Sequence, residues 1–136
     1  MHRAAVILAL LALAALAGGM AFFGAVLAPA VFRTLEQPTS GRFIRAIFPQ
    51  YYRFSFIAAV LAAIGLIPIA PWCAVVLALV VLATLWLWLW LRPRLNRLRD
   101  AEEDRSFSRG HRLSVLVNQI ELLAAVAVLV RLAFLV

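Results

Sequence analysis

The sequence predicts an all-α integral membrane protein, a bundle of four spanning helices. Three observations carry that expectation. Two thirds of the 136 residues are hydrophobic, with a mean hydropathy of +1.02, where soluble domains sit near half apolar. The apolar residues fall into four runs, each near or above the ~20 residues that cross ~30 Å of hydrocarbon as a helix. The basic residues, all arginine, lie mostly between the runs. Long unbroken apolar runs exclude a β-barrel, whose strands are short and alternate. The chain is one transmembrane domain, residues 1–136.

The first run extends from about Ala4 to Val31. Met1-His2-Arg3 followed by an apolar stretch with Ala15-Leu16-Ala17 has features of a cleavable signal. The apolar run continues far past Ala17, so a retained span is expected. Ala17, Ala21, Gly24 and Ala28 recur at three- or four-residue spacing, which predicts a face for close helix packing. Residues 32–50 form the first basic loop. In it Thr39 and Ser40 follow Pro38 as candidate helix caps. Phe43, Ile44, Ile47 and Phe48 make an apolar face beside Arg42 and Arg45. A short interfacial helix closed by Pro49 is expected here.

The second run covers about 51–69 and the third about 72–91. Only Pro68-Ile69-Ala70-Pro71 joins them, which predicts a tight antiparallel hairpin. Trp72 and Trp90 sit at opposite ends of the third run, where amphipathic rings prefer the headgroup level. Trp86 and Trp90 share a helical face; Trp88 points elsewhere. Residues 92–112 form the second basic loop, with Leu91, Leu95 and Leu98 carrying helix three beyond the bilayer. Its arginines are expected on a solvated face against lipid phosphates. The fourth run covers about 113–136.

Orientation follows from arginine placement. The first loop and its edges hold Arg33, Arg42, Arg45 and Arg53. The second holds Arg92, Arg94, Arg97, Arg99, Arg105, Arg109 and Arg112. The other side has only Arg3 and Arg131. The positive-inside rule puts both loops in the cytoplasm and the N- and C-terminal ends outside. The net charge of +7 therefore fits anionic lipid headgroups as partner and not nucleic acid.

Polar residues in the fourth run are the main lead, because ionisable groups at membrane depth usually face a bundle interior, a cavity or a partner. At ~100° per residue, His111, Ser114, Asn118 and Glu121 fall within an arc of roughly 80°. Glu121 lies about 15 Å deeper than His111. Gln119 and Arg131 point away. Arg53, on the second run, could reach Glu121. Either that arginine or a proton on the carboxyl is expected to resolve the buried charge. These five, His111, Ser114, Asn118, Glu121 and Arg53, are candidates for a ligand or pathway site, weighed against simple interhelical hydrogen bonding.

No enzyme motif for serine hydrolysis, zinc proteolysis or nucleotide binding is present. The single cysteine, Cys73, rules out an internal disulfide and a CxxC site. Histidines, methionines and cysteine are scattered rather than paired at ligand spacing, and arginines compete for Asp100, Glu102, Glu103 and Asp104. No catalysis, cofactor or metal is expected.

Several short motifs are similar to one family in order and spacing. They are Pro29-Ala-Val-Phe32-Arg33, Gly41-Arg42, Phe48-Pro49-Gln50-Tyr51-Tyr52, Arg92-Pro93-Arg-Leu-Asn96-Arg-Leu-Arg99-Asp100, and then Phe107, His111, Ser114 and Asn118. Together they resemble the bacterial membrane proteins grouped as domain of unknown function 4149, which are related to eukaryotic transmembrane protein 205. The resemblance implies a four-helix protein of a bacterial inner membrane. It adds Arg33, Tyr51, Asn96 and Asp100 to the candidate positions and supplies no reaction. The expected role is therefore structural or accessory, with other membrane proteins or a second copy as partners. A small transporter using the polar face of span four is the alternative.

Overall fold

The structure is a computed structural model that describes residues 2–136. Four helices long and apolar enough to cross a membrane account for nearly all of it: α1 (His2–Thr34), α2 (Thr39–Leu66), α3 (Pro71–Asp100) and α4 (Asp104–Leu135). No strand occurs among the described residues. Each helix packs on the next, and α4 closes back on α1, so the bundle is a ring of four. The expected Pro68–Pro71 hairpin links α2 to α3, with the Ile69 and Ala70 amides bonded to the Leu66 carbonyl.

The bundle has two unlike halves. In the half near the hairpin, small and aliphatic side chains fill the centre. Ala9, Leu13, Leu16, Ala59, Ala62, Leu66, Leu77 and Ala125 are fully buried. Helices α1 and α2 approach closely because Gly65 has no side chain. A β-carbon there would stand 2.9 Å from the Ala9 amide nitrogen and 3.0 Å from the Ala5 carbonyl oxygen. The outward faces carry exposed Leu11, Ile64, Leu82, Leu116 and Leu123. That much apolar surface belongs against lipid rather than water.

The other half, the arginine-rich end, is shaped by two prolines. Both α1 and α3 widen into a π-helical turn, at Phe23–Leu27 and Leu87–Leu91. There the Ala28 amide bonds the Phe23 carbonyl and the Arg92 amide bonds the Leu87 carbonyl, five residues back. Pro29 and Pro93 follow immediately. A proline cannot donate to the carbonyl four residues earlier, and its ring presses on it. Those carbonyls, Ala25 and Leu89, lie inside the wide turns. An extra residue in a turn rotates everything beyond it by ~100°. Changing Pro93→Ala is expected to let α3 relax to regular α-helix and swing Leu95 off Gly110, which it now contacts. In a Cys73→Ala background, a disulfide between Leu95→Cys and Gly110→Cys should form with Pro93 present. It should be lost when Pro93→Ala is added; equal cross-linking in both would refute this cause of the turn.

Two expectations for the loops are corrected. The short helix predicted between spans one and two is not separate. It is the first part of α2, which runs through Pro49 without ending. The apolar face explains why: Ile44 is buried and Ile47 and Phe48 are half-buried against the bundle, so the segment is held to the core. Pro38 stands at the N-cap with no side-chain cap hydrogen bond, so Thr39 and Ser40 do not cap it. The second basic loop is mostly helical: α3 runs on past its apolar run, as Leu95 and Leu98 predict, and α4 begins already at Asp104 rather than near Leu113. Helix α1 continues to Thr34 and α2 begins at Thr39, while α3 and α4 are separated only by residues 101–103. Glu102, at φ 57°, makes that last reversal.

Candidate functional site

Between the four helix ends at the arginine-rich face lies a cavity of about 700 Å³. Its position follows from the backbone. Up to Phe22, α1 packs against α4; past the wide turn the two no longer pack closely. Gly24 and Ala28 of α1 line the resulting gap, across from Val115 and Gln119 of α4. The small-residue face predicted to seat a neighbouring helix thus serves differently. Ala17 is buried, but Ala21 and Gly24 are exposed, and nothing lies within 4 Å of where a Gly24 β-carbon would be.

An aromatic group walls the cavity. Phe23 stacks on Tyr51 at 4.3 Å and Phe48 on Tyr52 at 5.6 Å. The guanidinium of Arg92 lies 3.6 Å over the Phe48 ring, a cation–π contact. Its Nε donates to the Tyr52 hydroxyl at 3.2 Å, and its Nη2 donates to Ser114 Oγ at 3.3 Å. Ser114 in turn donates to the His111 carbonyl at 2.8 Å. Arg92 is half-buried. The expectation that it lies on a solvated face is corrected: the wide turn just before it and the aromatic wall of α2 turn it inward.

Deeper on α4, the Tyr51 hydroxyl crosses the bundle to donate to Asn118 Oδ1 at 2.9 Å. Below that, the Thr84 hydroxyl donates to Glu121 Oε1 at 2.9 Å, with both side chains buried. The stripe read on α4 is therefore real as geometry, with Ser114 and Glu121 buried, Asn118 half-buried and His111 at the mouth, stacked on Phe107. Glu121 has no cationic partner among the described residues. Arg53 is exposed and is bonded to nothing in the site, so it does not resolve the carboxyl; Thr84 is the group that meets it. Ser55 Oγ, also buried, has no hydrogen-bond partner among the described residues.

At the rim, Arg45 gathers the two candidate positions of α3. It donates to Asn96 Oδ1 at 3.1 Å, to the Asn96 carbonyl at 3.0 Å, and pairs with Asp100 at 3.0 Å. Asn96 and Asp100 thus tie α2 to α3 and neutralise Arg45. Arg33 is exposed and donates to the Pro29 carbonyl of its own helix at 3.3 Å. Trp86 and Trp90 stack at 5.4 Å as their spacing predicts, and Trp88 lines the cavity.

The structure therefore joins Asn96, Asp100, His111, Ser114 and Asn118 around one space, holds Tyr51 behind it on Asn118, places Glu121 deeper on α4, and leaves Arg33 and Arg53 outside it. Sequence reasoning missed Arg92, Tyr52 and Thr84. No group of three or more histidine, cysteine or acidic side chains that could hold a metal occurs among the described residues.

A family model described as Domain of unknown function (DUF4149) matches residues 11–104. The match covers Arg33, Tyr51, Asn96 and Asp100 and stops short of His111, Ser114 and Asn118. No curated protein and no solved structure matches the chain.

Proposed function

The chain belongs to the DUF4149 family, and from that membership and the geometry we propose that it is a non-catalytic accessory protein of a bacterial cytoplasmic membrane, whose arginine-rich vestibule holds a ligand or partner group at the inner face. The observation that carries the reading is the dead end of the cavity. Its lining comes from the arginine-rich ends of the helices and reaches no deeper on α4 than Asn118 and Gln119; Tyr51, Thr84 and Glu121 are not part of it. Beyond them α4 meets the bundle through buried Ala125, Val128 and Leu132. A binding site needs one opening, whereas a transport path needs polar groups continuing to the far side. The polar stripe stops at Glu121, which weighs against the transporter alternative.

The arginine distribution favours placing the vestibule in the cytoplasm, and the start of α2, with Arg42 and exposed Phe43, suits the headgroup level there. Cysteine labelling tests orientation and dead end together. With Cys73→Ala, Gln119→Cys should react with a membrane-impermeant maleimide from the cytoplasmic face only. Leu129→Cys should react from neither face. Labelling of Leu129→Cys from the outer face would replace this reading with a through-path.

A further inference from the structure

The vestibule is lopsided in charge. Arg42, Arg92 and Arg99 line it, and none of them makes an ion pair among the described residues. The acid that lines it, Asp100, is already matched to Arg45. Arg92 is the informative member. A half-buried guanidinium held by two neutral hydroxyls and a ring face is an open valence for an anion. The three arginines come from two helices, Arg42 from α2 and the other two from α3, and their donors outnumber the two oxygens of a carboxylate. Phosphate, with more oxygens, suits them better.

The shape says where the anion comes from. The gap between α1 and α4 flanks the cavity at Gly24 and Ala28, and apart from Gln119 its lining is apolar, with Phe32 and Val115 completing it. A soluble phosphate has no use for such a wall, whereas an acyl chain does. Gly24, Phe32 and Val115 are exposed on the outer surface of the bundle, the surface that a spanning bundle turns to lipid.

We infer that the vestibule binds one phosphate-headed membrane lipid, its headgroup on Arg42, Arg92 and Arg99 and its chains leaving through the gap between α1 and α4. The inference rests on the vestibule being a ligand site, as proposed above. Gly24 is the threshold of the gap, and the open space beside it is what the chains occupy.

The test uses the full chain in neutral detergent, with dioleoyl phosphatidic acid and dioleoyl phosphatidylcholine as probes, read by native mass spectrometry. Phosphatidic acid should be retained at one per chain with at least about tenfold preference over phosphatidylcholine. Arg42→Gln, an exposed change that spares the fold, and Arg92→Gln should each lower that preference several-fold. Gly24→Trp should block retention by filling the gap. Inorganic phosphate at about 10 mM, far above a tight site's requirement, should fail to displace the lipid. Equal retention of the two lipids, indifference to Arg42→Gln and Gly24→Trp, or full displacement by inorganic phosphate would overturn the inference. Phosphatidic acid should also protect Gln119→Cys from maleimide. If that cysteine labels but phosphatidic acid gives no protection, the vestibule stands and the lipid falls. If it never labels, both fall.

Discussion

Replacing Gly65 with leucine is expected to abolish the folded bundle, and Gly65→Ala to lower its stability by about 1–3 kcal/mol, the usual cost of overpacking a filled core. The reason is the identity of the atoms in the way. A β-carbon at residue 65 meets the backbone nitrogen of Ala9 at 2.9 Å and the carbonyl oxygen of Ala5 at 3.0 Å. Backbone cannot swing aside as a side chain can, so α1 and α2 must move apart and the buried alanines on either side lose contact. In lipid, where helix association rests on such close packing, nothing replaces what is lost. Gly18→Ala is the matched control. Beyond its own stretch of helix, no described atom lies within 4 Å of its β-carbon position, so it should be neutral or gain up to about 1 kcal/mol from helix propensity. Denaturation by sodium dodecyl sulfate, followed by tryptophan fluorescence, reads all three. A Gly65→Leu protein as stable as the parent would show that the α1–α2 contact does not hold the bundle.

The second large effect concerns Thr84 and Glu121, and its order is the test. Thr84→Val keeps the shape of the side chain but removes the hydroxyl that donates to Glu121 Oε1. A buried carboxyl is then left without a donor, which costs about 1–3 kcal/mol. Glu121→Leu should cost less, because the freed threonine hydroxyl can turn to a carbonyl of its own helix. The double variant, with an apolar pair in an apolar place, should be more stable than Thr84→Val alone. A double-mutant cycle in the same denaturation assay measures the coupling. Strict additivity would mean that the two groups do not depend on each other.

Much of this arrangement was legible in the sequence. Run length gave the four helices, Pro68 and Pro71 gave the hairpin, and residue angle gave both the Trp86–Trp90 stack and the inward face of Ser114, Asn118 and Glu121. What sequence could not supply was the partner across the gap. Angular periodicity assigns a face within one helix and is silent about what stands opposite, so nothing in the sequence marks Thr84, and Tyr52 reads only as a motif residue. Arg92 is hidden from the sequence for a second reason. Juxtamembrane arginines are informative as a count, which fixes orientation, and the count carries nothing about where any one of them points. The wide turn at Leu87–Leu91 then shifts the phase of α3 just before Arg92, so a regular helical wheel would aim it wrongly. Proline at 93 was the available signal. Proline at 49 reads as a stop for the short helix expected at 39–49, and the structure runs through it. In α2 the buried Ile44, Tyr51 and Tyr52 hold the helix straight through it.

The order of the ring has a mechanical consequence. Neighbours α1 and α2 are tied by residues 35–38, α2 and α3 by the proline hairpin, and α3 and α4 by residues 101–103. Helices α4 and α1 are the one adjacent pair that no loop ties. The bundle is thus a bracelet with a single unfastened clasp, and the clasp is the edge at which Gly24 faces Gln119. Parting that edge stretches no covalent link and disturbs only side-chain contacts between α1 and α4, while parting any other edge pulls directly on a short connection.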